Sequence, residues 1–216
     1  TLSLHDALPI SGVNARLGGN ISITSSTDPS EIEVIQWCNE TCKWLTHVCA
    51  RENSELGRTT GSVSATDGTA SYNTLASAMM IPHHTGWILK TYERVPVYLC
   101  QEMDSLDYDP SYEGEPEKFY VDGSNNVVFL PTPDTSYTVK IPYWAFPTAL
   151  TATTSTIPFL GIFDNVIIEA VTMRCQNREE YDLTFEQNWM SFLLKQAREL
   201  ILMRRNPNIA ISWGNN

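Results

Sequence analysis

Carboxylates are concentrated in one stretch of this 216-residue chain. Between Glu93 and Asp122 there are nine of them against only Arg94 and Lys118. Two carboxylates at a suitable separation can hydrolyse a glycosidic bond, and several together can bind Ca²⁺. The spacing matches no EF-hand loop, because the Asp-x-Asp-x-Asp-Gly order is absent. We predict a solvated acidic face, and it consists of Asp104, Asp107, Asp109, Glu113, Glu115 and Glu117.

Histidine and cysteine are the next candidates for chemistry. His83-His84 is the one pair of adjacent imidazoles, but it lies in no HExxH or CxxC pattern that would complete a zinc site. Pro82 before the pair and Gly86 after it predict a turn. We therefore expect no metal here.

The cysteines are predicted to be core residues. Cys38, Cys42 and Cys49 follow helical spacing and could chelate a soft metal, but they alternate with Val34 and Leu45 in an apolar seam. The chain has five cysteines, an odd number, and no CxxC pair. This favours synthesis in a reducing compartment.

Other catalytic and cofactor motifs are missing from the sequence. There is no GxSxG, no GxxxxGK[ST] and no GxGxxG, so we expect no cofactor. Aromatic residues at strand spacing could stack sugars if exposed, but we predict that they belong to a sheet core. They are Tyr120, Phe129, Tyr137, Tyr143, Trp144 and Phe146.

Helical periodicity occurs before and after these segments. Asp28, Pro29 and Glu31 predict the capped start of a helix over residues 29–50. Two further helices are expected over 160–177 and from about 183 to 204, the second ended by Pro207. Its predicted buried face consists of Phe185, Trp189, Phe192, Leu193, Ala197, Leu200 and Ile201.

The middle of the chain has β character. Residues 118–144 predict three short antiparallel strands, with turns at 122–126 and 131–134. Strands are also expected at 87–92 and 95–99, and residues 51–72 are interpreted as a loop or a weak two-stranded ribbon.

The predicted fold class is α+β. We expect a helical bundle, one N-terminal helix plus a C-terminal helix pair, with an inserted small antiparallel β-sheet. The helical core would comprise residues 28–50 and 159–205, with a β-rich insertion over 51–158. An extended arm is expected over 11–27 and an extended tail over 206–216.

The first ten residues are treated separately. TLSLHDALPI resembles the translation of a common sequencing linker, so we expect residues 1–10 to be an assembly artefact. A cleaved signal peptide would need a basic start and an apolar centre, which this stretch does not have.

Charge and hydropathy exclude two classes of partner. The net charge of −11 argues against high-affinity binding of nucleic acid, although an acidic chain can line a channel through which DNA slides. No run of about 18 apolar residues is present, so no membrane span is expected.

Four pieces of sequence together resemble a known family. In chain order they are IEVIQWCNETCKWL, MMIPHHTGWILKTYERVPVYLCQEMDSLDY, PEKFYVDGSNNVVFLPTPDTSYTVKIPYW and IFDNVIIEAVTMRCQNREEYDLTFEQNWMSFLLKQAREL. Over residues 30–202 their order is similar to that of the head-to-tail adaptor proteins of tailed bacteriophages, also called connector or head-completion proteins.

The resemblance implies a structural protein of the virion, assembled in the bacterial host cytoplasm. It implies a ring of about twelve copies beneath the portal, with portal and tail or neck proteins as partners and DNA only passing through the channel. The acidic face would then meet a basic partner or the DNA channel.

In the C-terminal tail, Ile209, Ile211 and Trp213 are the candidates for portal contact, because an extended segment can add to a partner's sheet edge. The alternative for this tail is that it folds back onto its own bundle or is frayed.

Two alternative functions remain open at this point. One is a β-rich glycan- or receptor-binding module of a phage tail, which would need exposed aromatic residues within 119–146. The other is a carboxylate-based hydrolase, which would need two carboxylates of the acidic stretch converging in a cleft.

Overall fold

The two ends of the chain form one compact unit, and the middle forms another. The first unit, called the helical unit below, comprises Thr1–Gly57 and Pro147–Asn216, and the second, the sheet unit, comprises Arg58–Phe146. The computed structural model describes residues 9–17, 23–24, 29–109, 111–152, 155–177 and 183–205.

Four α-helices are described in the helical unit, and a short 3-10 helix, Phe159–Gly161, precedes the third. In the described ranges no helix is both long and apolar enough to cross a membrane. The helices are α1 (Pro9–Arg16), α2 (Glu31–Arg51), α3 (Asp164–Gln176) and α4 (Leu183–Arg205).

The start of α2 is capped two residues later than the sequence predicted. Ser30 is the N-cap: its side chain accepts from the Glu33 N–H at 3.5 Å, and the Glu33 carboxylate accepts from the Ser30 N–H at 2.9 Å. This reciprocal pair is a capping box. The Glu33 carboxylate also accepts from the Ser30 hydroxyl at 2.8 Å, and the hydrogen bonds from the Ser30 N–H and hydroxyl lower the pKa of Glu33. The prediction of Asp28 and Glu31 as the capping pair was therefore wrong.

The apolar face of α2 packs against α3 and α4 and forms the core of the helical unit. Cys38, Cys42 and Cys49 are buried in this face, as predicted. Burial raises the pKa of each of these thiols to about 12. The other helices contribute Val166, Ile167, Ala170, Val171, Leu193, Ala197 and Ile201 to buried positions.

Helix α1 lies where an arm was expected. Val13 is fully buried, and a Cβ added to Gly12 would lie 2.5 Å from Ile168 Cδ1 of α3. Arg16 also pairs with Glu169 of α3 at 2.7 Å. Residues 11–16 are thus helical rather than extended, because this short segment gains stability by packing on α3.

The sheet unit is built around one large mixed sheet. Its eight strands are β1 (Arg58–Ala65), β2 (Ser71–Tyr72), β3 (Met79–Pro82), β4 (Thr85–Leu89), β5 (Arg94–Leu99), β7 (Lys118–Val121), β8 (Val127–Leu130) and β10 (Tyr137–Ala145). They follow the order β1-β10-β4-β5-β7-β8-β2, with β3 paired to β10 beside this path, and the sheet is nearly closed. Neighbouring strands are antiparallel except β5 and β7, which run parallel.

Two further strands, β6 (Glu113–Gly114) and β9 (Thr132–Pro133), form a separate parallel pair. The main sheet has its own core, in which Phe119, Phe129, Ile88 and Ile141 are almost fully buried.

The predicted fold class, a helical bundle with a small inserted antiparallel sheet, was wrong. The sheet has eight strands, is mixed, and forms a compact unit with its own hydrophobic core. The prediction underestimated it because β1 has few apolar residues. In the sequence RTTGSVSA only Val63 and Ala65 are buried, yet β1 pairs with β10 over eight residues.

The three strands predicted within 118–144 exist, but they are not consecutive neighbours. β7 and β8 form the expected antiparallel hairpin. β10 instead lies between β1 and β4, away from β8. Its apolar residues Val139, Ile141 and Tyr143 are buried there, because β10 pairs with strands from earlier in the chain.

Candidate interaction surfaces

The β7–β8 hairpin is closed by an aspartate. Asp122 Oδ1 accepts from the backbone N–H groups of Ser124 at 2.8 Å and Asn126 at 2.9 Å, and Oδ2 accepts from the Asn126 side-chain amide at 2.9 Å. Hydrogen bonds from Asn126, and then from Ser124, lower the pKa of Asp122. The carboxylate therefore stabilises the loop rather than taking part in chemistry.

The same loop is tied to the segment before β3. Asn125 has a positive φ of 62°, and its side-chain amide donates to the carbonyls of Ala76 at 2.7 Å and Met79 at 2.8 Å. Asparagine tolerates this left-handed backbone better than most residues. One side chain thus joins two loops separated by about fifty residues along the chain.

The acidic face begins with a 3-10 helix, Glu102–Asp107. Asp104 accepts from the Gln101 N–H at 3.0 Å and so caps this helix. After it, Asp109 accepts from the Ser111 N–H at 2.8 Å and from the Ser111 hydroxyl at 2.7 Å, which lowers the pKa of Asp109. Local hydrogen bonds therefore hold the acidic chain segment in shape.

Two basic residues attach this segment to the sheet. Lys90 pairs with Glu115 at 2.8 Å, which raises the pKa of the lysine, and Lys118 Nζ lies 5.6 Å from the centre of the Tyr108 ring. The Cys100 N–H also donates to the Phe119 carbonyl at 2.8 Å just before the 3-10 helix.

The six predicted acidic residues all lie in this segment, at its surface. Asp107, Asp109, Glu113 and Glu117 are exposed, and Asp104 and Glu115 are half-buried with the local partners just described. Hydrolysis would need a pair of carboxylates held together across a substrate cleft. The placement of these six side chains is that of a solvated surface.

Apolar side chains lie among these carboxylates. Met103 is 69% exposed and Leu106 is 75% exposed. Residues three apart in a 3-10 helix are eclipsed, so these two form one apolar row, with Glu102 on one side and Asp104 and Asp107 on the other. This row was not predicted, although the acidic run EMDSLDY contains the two large apolar residues that signal it.

A second exposed surface lies on α4 in the helical unit. Phe192 is 44% exposed and Leu202 is 47% exposed. Together with the exposed Lys195 and Arg205 they follow helical spacing and form one stripe, called the α4 stripe below. The predicted burial of Phe192 was therefore wrong, whereas the predicted burial of Leu193, Ala197 and Ile201 is confirmed.

A third surface is a groove of about 410 Å³ along α2 in the helical unit. Ile32, Ile35, Lys43 and Pro147 are among its lining residues, and Ile32 is 72% exposed. One wall is fixed by Asn39, whose side chain exchanges two hydrogen bonds with the Leu150 backbone at 2.9 and 2.7 Å.

The histidine pair lies in the predicted turn, between β3 and β4. The rings of His83 and His84 are 3.9 Å apart, and the His83 ring lies 5.8 Å from that of Trp144. Burial is the main cause that lowers the pKa of His83. Among the described residues no group of three or more His, Cys, Asp or Glu side chains is placed to hold a metal ion.

Most aromatic side chains between residues 119 and 146 are buried or half-buried in the sheet unit. Phe129, Tyr143 and Trp144 are buried, Tyr120 and Tyr137 are half-buried, and only Phe146 is exposed. A stacking platform for sugars would require exposed rings, so the structure supplies little surface for the glycan-binding alternative.

The predicted portal-contact residues Ile209, Ile211 and Trp213 lie outside the described residues.

A family model described as SU10 adaptor protein matches residues 12–211 of the chain. No curated protein matches the chain.

Proposed function

The chain belongs to the SU10 adaptor protein family, a family of bacteriophage head-to-tail adaptors, and on this premise we propose that it forms a ring beneath the portal and joins the capsid to the tail. The role of such an adaptor is structural, and the protein is a virion component. The ring would have about twelve copies, following the portal. Assembly would take place in the host cytoplasm.

The single observation that carries this proposal is the extent of the family match, which includes both compact units. The surfaces fit a protein that works by contact. The described units expose apolar side chains, among them Leu106 on the 3-10 helix and Leu202 on α4, and exposed apolar patches often mark interaction sites. The net charge of −11 would let DNA pass through a channel without adhering to it.

The proposal is tested by mixing the protein with the portal ring of the same phage and imaging the product by electron microscopy. We expect an additional ring of density on the tail side of the portal, with the same symmetry. Portal particles that stay unchanged at saturating protein would contradict the proposal.

The C-terminal tail is proposed as the portal-binding segment. Ile209, Ile211 and Trp213 alternate with small or polar residues, which suits addition to a partner's sheet edge. Replacing the three with serine should abolish co-sedimentation with portal rings. Replacing Asn215 and Asn216 with serine is the matched control and should leave binding unchanged. Equal binding by both variants would exclude the tail as the portal contact.

A further inference from the structure

Two of the exposed surfaces carry opposite charge. Residues 101–117 contain seven carboxylates and no lysine or arginine. Residues 195–205 of α4 contain four of the chain's fourteen basic residues against the single carboxylate Glu199. In a chain of net charge −11, the second half of α4 thus carries a local excess of basic residues, and Glu199 lies among them, four residues after Lys195 on the same face.

Each surface also presents exposed apolar side chains. The row of Met103 and Leu106 lies between acidic positions on the 3-10 helix. On α4, Phe192 and Leu202 occur in the same stripe as Lys195 and Arg205. Exposed ion pairs contribute little to affinity, so the apolar contacts would supply the binding and the charges would select the partner and its orientation.

We infer that the acidic 3-10 surface, formed by Glu102, Met103, Leu106 and Asp107, binds the α4 stripe of a second copy of this chain. The two surfaces differ, so the contact is heterologous and leaves one surface of each type free on every pair. Repeating such a contact builds a ring when the rotation closes. This inference rests on the proposed adaptor function and names the surfaces through which its copies associate.

Charge complementarity argues for a second copy as the occupant. An acidic docking surface is matched by a basic one, and α4 presents basic side chains at Lys195 and Arg205, both of which are exposed. Arg198 is different: it pairs with Glu52 at 2.7 Å inside the helical unit. Glu102 and Asp107 are likewise exposed and lie outside the hydrogen bonds that shape the acidic segment.

The test uses reciprocal charge reversal in the full chain. One variant carries Glu102→Lys and Asp107→Lys, so both of its surfaces are basic. The other carries Lys195→Glu and Arg205→Glu, so both are acidic. We expect each variant alone to self-associate at least about tenfold more weakly than the unmodified protein, measured by sedimentation velocity. An equimolar mixture should restore association, because every contact in an alternating assembly is again complementary.

Matched controls separate the proposed contact from general effects of surface change. Arg51→Glu reverses an exposed charge at the end of α2, and Tyr92→Ser removes an exposed aromatic side chain between β4 and β5. Neither should change association, whereas Leu106→Ser and Leu202→Ser should each weaken it. Far-ultraviolet circular dichroism confirms that each variant is folded.

A photo-cross-linking amino acid at position 106 locates the contact both in the free protein and on portal rings. Mixing isotopically heavy and light protein identifies cross-links between copies. We expect them within residues 188–205.

Any of three results would overturn the inference. The first is cross-links that map elsewhere, and the second is a mixture of variants that fails to associate where the unmodified protein does. The third is a chain that stays monomeric both free and on the portal. Loss of portal binding alone would contradict the proposed function and leave the test in free protein intact.

Discussion

At the scale of single residues, the loop that closes the β7–β8 hairpin depends on two side chains that make different hydrogen bonds. Asp122 organises the loop itself, and Asn125 ties the loop to residues 76–79. Both residues are polar and occur in a motif, YVDGSNN, that could be taken for a binding site. Their hydrogen bonds show that they stabilise the sheet unit.

The first prediction concerns Asn125. Asn125→Gly keeps the positive φ accessible but removes the two hydrogen bonds, so we expect a loss of about 1–3 kcal/mol in the free energy of unfolding. Asn125→Ala should cost about 1 kcal/mol more, because alanine is strained in the left-handed region. Urea denaturation measures both. Gly123→Ala is the control, since an added Cβ there has no atom within 4 Å. Equal stability of the two Asn125 variants would exclude backbone strain as a factor.

The second prediction concerns pH. The pKa of Asp122 is lowered in the folded protein, so its contribution to stability is present above the ordinary aspartate pKa of 3.8 and is lost as pH falls through the lowered folded value. Asp122→Asn cannot titrate. Its stability should therefore decline less steeply below about pH 4 than that of the unmodified protein, as measured by thermal melts at a series of pH values. Parallel declines would show that other groups control the acid response.

The third prediction concerns the thiols. Burial raises the pKa of Cys38, Cys42 and Cys49 to about 12, so at pH 8 only about one thiol in ten thousand is ionised. In native protein these three should resist maleimide labelling, while the half-buried Cys100 and Cys175 react first. Mass spectrometry after timed labelling measures the order. Rapid labelling of Cys38 would show that the helical core opens readily. Protein labelled in denaturant provides the control for full reactivity.

At the scale of elements, the sheet depends on a close approach between β4 and β10. A Cβ added to Gly86 would lie 2.8 Å from the backbone carbonyl oxygen of Lys140. A backbone atom in a paired strand cannot move aside as a flexible side chain can. The sequence indicated a turn at this glycine, but the structure places Gly86 inside β4.

The fourth prediction follows from this contact. Gly86→Ala should destabilise the protein by about 1–3 kcal/mol, because β4 must shift away from β10 to relieve the clash. Gly123→Ala again serves as the matched control. Thermal unfolding followed by circular dichroism measures both variants, and an unchanged midpoint for Gly86→Ala would indicate that the strands have room to separate.

Helices were easier to predict from the sequence than the sheet, for a local reason. The helical period of α2, α3 and α4 is present within each segment, so their existence followed from apolar spacing alone. The capping residues of α2 were misassigned by two positions, since Asp28 and Ser30 both suit an N-cap and only the contacts distinguish them. The polar strand β1 could not be recognised, because its partner β10 lies about eighty residues later.

At the scale of the whole molecule, the uneven distribution of charge matters more than its sum. The net charge of the chain is −11, yet the second half of α4 has more basic than acidic residues. All the charged residues within 101–117 are acidic. Such an arrangement favours contacts between unlike surfaces of different copies. It also disfavours contacts between like surfaces.

The fifth prediction is the salt dependence of self-association. If Lys195 and Arg205 meet the carboxylates of a second copy, added salt should weaken association, because exposed charges are screened over about 10 Å at 0.1 M ionic strength. Sedimentation velocity in increasing sodium chloride measures this. The mixture of the two charge-reversed variants should show the same trend, and association that strengthens with salt would indicate a purely apolar contact.

The sequence by itself determined helices α2, α3 and α4, the buried cysteines of α2, the hairpin at residues 122–126 and, through the order of its motifs, the adaptor family. These features depend on local spacing or on residues close together in the chain. Only the tertiary structure decided the size and mixed topology of the sheet, the position of β10 between β1 and β4, and the exposure of Met103, Leu106 and Phe192. Strand pairing and exposure depend on partners far along the chain. Periodicity within one segment contains no information about those partners.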